Sequence, residues 1–223
     1  MEGTRLQILQ LLQKNGHATV EGLATGIGLA PATIRRHLDI LQRDRLVGFE
    51  EVRKKTGRPE YSFCLTEDGQ EALPKNYDKL LKQVVGEIGK LTEEDVRGND
   101  GSQILHEIFV GLSEKARSEN ASPSGQSLKQ RVEALVTTLG SQDFSPVVEK
   151  NGDVIELRLM NCPFRSVAMQ NQSICSYDFH LIASTLKVDI SRIESIRDGA
   201  DGCLYRIMAT PEEVAEVSLV GDG

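Results

Sequence analysis

The run LAPATIRRHLDIL, residues 29–41, decides how the rest of the chain is read. Pro31 suits the first position of a helix, where its missing N–H is one of the donors the helix cannot use. Ile34, Leu38 and Leu41 follow at i, i+4 and i+7, the spacing of a buried stripe. Thr33, Arg35, Arg36 and His37 are left around the solvent arc. Ala30 stands where a capping Ser or Thr is expected, which weakens the helix start by roughly 1 kcal/mol.

On the N-terminal side, Thr4 to Asn15 places Leu6, Ile8, Leu9, Leu11 and Leu12 on one broad stripe, ending at the turn signal Asn15-Gly16. Thr19 is a fair cap for a short second helix containing Val20, Leu23 and Ala24 and closing at Gly26-Ile27-Gly28. Gly22 and Gly26 each cost that helix about 1 kcal/mol against Ala, so it needs tertiary support. On the C-terminal side, two strand-like runs, 46–52 and 60–65, enclose RKKTGRP at 53–59, four cations beside a glycine turn.

Helix, short helix, helix and a hairpin with a basic tip make a winged helix-turn-helix. A helix fits the DNA major groove and reads base edges with its polar arc, while a basic tip reaches phosphates or the adjacent minor groove. The residues expected at DNA are Thr33, Arg35, Arg36, His37, Arg53, Lys54, Lys55 and Arg58. A charge run is usually a solvated face. Here two independent basic elements fall where a winged helix meets DNA, and the plain reading is the weaker.

Thr66-Glu-Asp-Gly69 opens a further helix that Pro74 interrupts. Residues 77–91 then carry Leu80, Leu81, Val84, Val85, Ile88 and Leu91, a stripe with no partner in a small winged domain. It is either the seam of a homodimer or a face docked on the C-terminal half, with the dimer preferred because such regulators read paired half-sites. TEEDVRGNDG at 92–101 is an acidic hinge. Helical stretches at 104–117 and 128–139 follow, separated by a Ser/Asn/Pro/Gly segment. From 153 to 160 the period becomes two, with Ile155, Leu157 and Leu159 opposite Val154, Glu156 and Arg158, after the hairpin signal Asn151-Gly152. Another helix is marked by Phe179, Ile182, Ala183 and Leu186, and a final strand runs from Cys203 to Met208. The last dozen residues are expected to fray.

Net charge is −7, but unevenly spread: residues 1–92 carry 14 Lys/Arg against 12 Asp/Glu, and the remainder 12 against 21. Such asymmetry suggests a nucleic-acid face at one end and another task at the other. Aromatics are scarce and Trp is absent, so the cores must be aliphatic. No run approaches the roughly 18 apolar residues of a membrane span, and the N-terminus does not read as a signal peptide. The expectation is a soluble, cytoplasmic protein without membrane contact. Nothing resembles a nucleophile with base and orienter, a phosphate loop or a carboxylate pair, so no enzyme is expected.

Four cysteines in a chain of this length are no disulfide framework. Cys64 alternates with Phe63 and Leu65 in the wing's return strand and reads as packing. Cys162, Cys175 and Cys203 lack the compactness of a C-x-x-C pair, and buried structural cysteines are the ordinary reading. Against it, Cys162 lies just after a strand and Cys203 just after a Gly-rich turn, where loops converge and thiolates can hold a soft metal centre, iron–sulfur before zinc. His106 and His180 lie beside apolar stripes and read as ordinary helix histidines.

The segment GRPEYSFCLTEDG (57–69), LPKNYD (73–78), NCPF (161–164), Cys175 and DGCLYRI (201–207) together resemble the SufR-type iron–sulfur-sensing repressors. The likeness runs through most of the chain and is weakest between about 93 and 140. It implies a DeoR/ArsR-like winged helix-turn-helix followed by a domain whose cysteines hold a cluster, [4Fe–4S], in a homodimer. The loaded form would repress genes for cluster assembly from a palindromic operator in double-stranded DNA. By that resemblance Cys162, Cys175 and Cys203 are the ligands. Members often carry another Cys where this chain has Ser195, which leaves Ser195, Glu194, His180, solvent or none as the fourth ligand; the alternative is a winged-helix regulator that senses a small ligand or thiol redox state without a cluster. The fold expected is α+β: a winged helix-turn-helix at 1–73, a helical linker and dimerisation region at 74–140, a sensor domain with antiparallel strands at 141–211 and an acidic tail at 212–223.

Overall fold

A computed structural model describes residues 3–52, 60–119, 125–152 and 154–217. Two compact units divide the chain, Met1–Pro74 and Lys75–Gly223.

In the first unit, α1 (Thr4–Asn15), β1 (His17–Thr19), α2 (Val20–Ile27) and α3 (Pro31–Arg43) lead into β2 (Val47–Val52), β3 (Glu60–Leu65) and α4 (Glu67–Ala72). The strands form an antiparallel sheet in the order β1-β3-β2. Thr19 caps α2 by accepting from the Gly22 amide at 3.1 Å, and Gly28 closes the helix in the left-handed region at φ 77°. Ile34, Leu38 and Leu41 of α3 are buried together with Ile8, Leu9 and Leu12 of α1 and Leu23 of α2. A β-carbon on Gly26 would stand 2.6 Å from Leu11 Cδ2. That atom is the far end of a leucine side chain, so a larger residue at Gly26 would ask Leu11 to turn aside. Ala30 makes no side-chain cap bond, as its chemistry requires. The short strand β1 is absent from the sequence reading; its three residues have no stretch in which to show a period.

In the second unit, α5 (Tyr77–Ile88), α6 (Glu93–Val96), α7 (Gly101–Glu119) and α8 (Leu128–Gly140) precede β4 (Pro146–Asn151), β5 (Val154–Leu159) and α9 (Arg165–Gln170). After these come α10 (Cys175–Leu186), β6 (Ile190–Glu194), β7 (Cys203–Ile207) and α11 (Pro211–Glu216). The sheet is antiparallel in the order β4-β5-β7-β6. Ile155, Leu157 and Leu159 point into the core, as the period-two pattern predicts. On the opposite face Glu156 pairs with Arg206 at 3.2 Å and Arg158 with Glu194 at 2.6 Å.

Three expectations need correction. Helices α7 and α8 are not a separate linker layer: Ile108, Leu112, Val132 and Leu135 share one core with Leu157 and Tyr205 of the sheet. The tail does not fray from 212. Thr210 and Glu213 form a capping box, and Val214 and Val217 are buried in the same core; the burial of two valines outweighs the acidic composition on which the expectation rested. Third, α5 has two apolar faces. Leu80 is buried in the second unit's core, with Val84 and Leu91 packed on it. Leu81, Val85 and Ile88 are 64%, 58% and 50% exposed. Among the described residues, no helix is long and apolar enough to cross a membrane.

Candidate functional site

Two places carry polar chemistry. The first is the outer face of α3, where Arg35 and Arg36 are exposed while Thr33 and His37 are only half exposed. Thr33 and His37 sit one position before the buried Ile34 and Leu38, at the edge of the arc that Arg35 and Arg36 occupy. His37 Nδ1 is buried with no hydrogen-bond partner among the described residues. Arg35 donates to Glu21 of α2 at 3.0 Å, which orients its guanidinium along the helix pair. Beside α3 an open groove is lined by Glu21, Arg35, Asp39 and the wing aromatics Phe49 and Tyr61. The two rings meet edge to face at 4.9 Å. Arg53, Lys54, Lys55 and Arg58 lie outside the described residues.

The second place is in the other unit. Cys162, Cys175 and Cys203, far apart in sequence, line one enclosed cavity, together with Asp178 and Ser195. Each thiol arrives by a different route. Cys203 opens β7 opposite Leu159 of β5, and strand parity turns it to the same side as the buried Tyr205. Cys175 opens α10 directly after the 3₁₀ turn Gln172–Ile174. Cys162 lies on the loop between β5 and α9, which is held by Asn161: its amide donates to the Phe144 carbonyl at 3.1 Å and its side chain to the Asp143 carbonyl at 2.5 Å. The rest of the wall is mainly apolar, from Phe144, Leu159, Phe164, Ala168, Ile174 and Ile196, interrupted by Asn161 and Arg197.

Burial pushes the Cys203 thiol up to about 11, and the Asp178 carboxylate beside it adds to the effect. The same two causes hold Cys162 far above an ordinary thiol. Cys175 is raised by burial and Asp178 but pulled back by Arg192 and Arg197. Asp178 itself is raised by burial, against the stabilising Arg192 charge and the Tyr205 hydroxyl. Around it runs a polar network. Tyr205 donates to Asp178 Oδ2 at 2.5 Å, and Arg192 donates to Tyr205 Oη at 2.9 Å and to the Cys175 carbonyl at 2.7 Å. The Arg192 guanidinium also lies 5.8 Å and 5.3 Å from the Phe179 and Tyr205 ring centres.

The donor chemistry, three thiols and a hydroxyl in a mainly apolar lining that also holds Asp178 and Arg197, fits a thiophilic metal centre. The dimensions are tight. Free room of about 20 Å³ holds roughly one water, and no group of three or more His, Cys, Asp or Glu among the described residues is already set to hold a metal ion. A ligand larger than a single ion would have to displace the wall. Of the fourth-ligand candidates, Ser195 is buried in the cavity lining, its hydroxyl accepting from the Arg197 amide at 3.1 Å. Glu194 is instead paired with Arg158. His180 lies 3.5 Å from Glu114 and lines a separate open pocket with His106. Cys175 borders that open pocket too. Cys64 belongs to the other unit, on β3. None of the four cysteines forms a disulfide.

Asp178, Arg192 and Tyr205 escaped the sequence reading. The available signal was weak: Asp178 follows Cys175 by one helical turn and Tyr205 follows Cys203 by one strand repeat.

Residues 2–48 match the family model described as bacterial regulatory protein, arsR family. The match spans α1, β1, α2 and α3 and ends as the wing begins. The first unit is the DNA-binding domain of a winged-helix regulator. No curated protein matches the chain. Among solved structures, Bacillus subtilis PadR in complex with operator DNA aligns at 14% identity over 62% of this chain and 90% of that one, with a TM-score of 0.29. The winged-helix domain presents Arg35 and Arg36 from the second helix of its helix-turn-helix, the one that enters the major groove in this class.

Proposed function

We propose that this chain is a dimeric transcription regulator, a repressor, of iron–sulfur assembly genes, whose operator affinity depends on whether Cys162, Cys175 and Cys203 hold an iron–sulfur cluster, [4Fe–4S]. The observation that carries the reading is the convergence of these three cysteines, from a loop, a helix start and a strand start, on one cavity. Arg36 and Arg35 read bases, and the basic residues Arg53, Lys54, Lys55 and Arg58 supply phosphate contacts. The exposed apolar face of α5, Leu81, Val85 and Ile88, is the surface a second copy covers.

When bound, the cluster supplies a redox- and supply-sensitive crosslink between the three segments. The protein's part is to give up three thiol protons, which burial otherwise retains, and to exclude water with the phenylalanine and isoleucine wall. Arg192 and Arg197 offset the negative charge that three thiolates and Asp178 would accumulate. Cluster occupancy changes operator affinity only through a difference between the loaded and empty conformations of the dimer. The tightness of the cavity favours a second reading, in which the same thiols respond to a single soft ion or to oxidation without a cluster.

Iron and sulfide analysis with visible spectra on anaerobically reconstituted protein separates the two. Wild type and Cys64→Ser should carry a cluster, and Ser variants of Cys162, Cys175 or Cys203 should be depleted and bind operator differently. Ser195→Cys should slow loss of the cluster to oxygen. A full cluster in Cys203→Ser overturns the ligand set, and a colourless wild type leaves the second reading.

A further inference from the structure

The segment that follows the first unit is tied at once to the loop carrying Cys162. Pro74 disfavours helix at the residue before it, and Leu73 is extended at φ −74°, ψ 158°. The next three residues each bond to this side of the cavity. Lys75 Nζ donates to Asn161 Oδ1 at 3.1 Å and to the Cys162 carbonyl at 3.4 Å. The Asn76 amide donates to the Pro163 carbonyl at 3.2 Å, and its side chain to Asp143 Oδ2 at 2.7 Å. Tyr77 Oη accepts from the Ser166 amide at 3.0 Å and from its hydroxyl at 2.8 Å.

Of the three thiols, Cys175 and Cys203 sit on a helix and a strand whose backbones are locked into regular hydrogen bonding. Cys162 does not. Its loop is the part of the wall least constrained by regular structure, and the room inside is too small for anything but about one water. Among the described residues no group of donors is already set to hold a metal ion, so binding even one ion must draw the thiols together, and the 161–163 loop, outside regular structure, is the wall best able to move.

We propose that Lys75, Asn76 and Tyr77 form a strap that converts movement of the Cys162 loop into movement of the chain where it leaves the winged-helix domain. Lys75 is thereby a positioning residue for sensing rather than a ligand. The inference rests on the three-thiol reading above. It assigns the LPKNYD stretch a task that neither DNA contact nor cluster ligation requires.

The test uses the full-length protein, Cd²⁺ as a thiophilic probe read by its thiolate absorbance, and an operator fragment selected in vitro with the wild type. Operator Kd is measured with and without Cd²⁺ for wild type, Lys75→Met and the milder Tyr77→Phe. Wild type should show a shift of about tenfold, within the usual span of allosteric coupling. Both variants should bind Cd²⁺ within about threefold of wild type while the operator shift falls below about twofold, since coupling is lost and ligation kept. Variants that keep the full shift overturn the strap alone. Variants that lose Cd²⁺ binding make these residues supports of the cavity and overturn it too. A wild type that binds Cd²⁺ through the three thiolates with no operator shift overturns the sensing function on which the strap depends.

Discussion

The guanidinium of Arg192 reaches the backbone carbonyl of Cys175 at 2.7 Å, and so binds an edge strand to the first turn of the helix that presents a cavity thiol. The same group lies 3.8 Å from Asp178 Oδ1, which is itself almost wholly buried. Removing the cation strands a buried carboxylate. Arg192→Met should therefore cost about 3–5 kcal/mol, the usual penalty for breaking a buried pair from one side. Tyr205→Phe, which deletes one hydroxyl from the network, should cost about 1–3 kcal/mol. Urea denaturation of the metal-free protein measures both, and an Arg192→Met protein as stable as wild type would show the network to be ornamental.

The exposed α3 pair and the basic residues at 53–58 should fail in distinguishable ways. Arg36→Ala should relax preference at one or two base pairs by about 1–3 kcal/mol. Glu21→Ala frees the Arg35 guanidinium from its 3.0 Å partner and should alter preference without weakening nonspecific binding. Arg58→Ala should weaken binding evenly across sequences and flatten the salt dependence. Competition titrations at several salt concentrations read all three. Wild-type affinity in both Arg variants would mean that DNA lies elsewhere.

The two faces of α5 make opposite predictions from neighbouring residues. Leu81→Glu or Val85→Glu alters an exposed position and should yield folded monomers by sedimentation, with loss of operator affinity. Leu80→Glu places a charge in the core, where Leu80 is 7% exposed, and should unfold the second unit. Wild-type protein that is monomeric at micromolar concentration yet grips a palindrome tightly removes α5 as a dimer seam.

Cys175 borders both the enclosed cavity and the open pocket beside His106 and His180. In metal-free protein at pH 8, iodoacetamide should therefore modify Cys175 before Cys162 and Cys203. With Cys203 pushed up to about 11, only about one part in a thousand is thiolate at that pH, and the thiolate is the nucleophile. Peptide mass mapping over time gives the order. Prior labelling of Cys162 or Cys203 would mean the cavity opens by another route.

The winged-helix domain was almost wholly legible because its physics is local. The stripe of Ile34, Leu38 and Leu41, the Thr19 cap and Pro31 are local signals, and helices α2 and α3 follow from them. Glycines are where locality ends. Gly69 reads only as part of a helix start, yet a β-carbon there would stand 1.9 Å from the Leu46 carbonyl oxygen, a contact with a residue 23 positions earlier.

In the second unit the chain by itself determined the period-two strand 154–159, the helices that became α7, α8 and α10, and the three cysteines as the residues to watch. Their meeting was decided by tertiary structure, because strand parity, a helix start and a loop anchored by Asn161 bring together positions up to 41 residues apart from Cys162 to Cys203. The same holds for the selection of Ser195 over Glu194 and His180 as the hydroxyl or other donor in the cavity lining. It holds also for the burial of Asp178 against Arg192 and Tyr205. A polar residue's hydrogen-bond partners leave no periodic trace in sequence; only the packed sheet and helix determine which carboxylate loses its water and which cation replaces it.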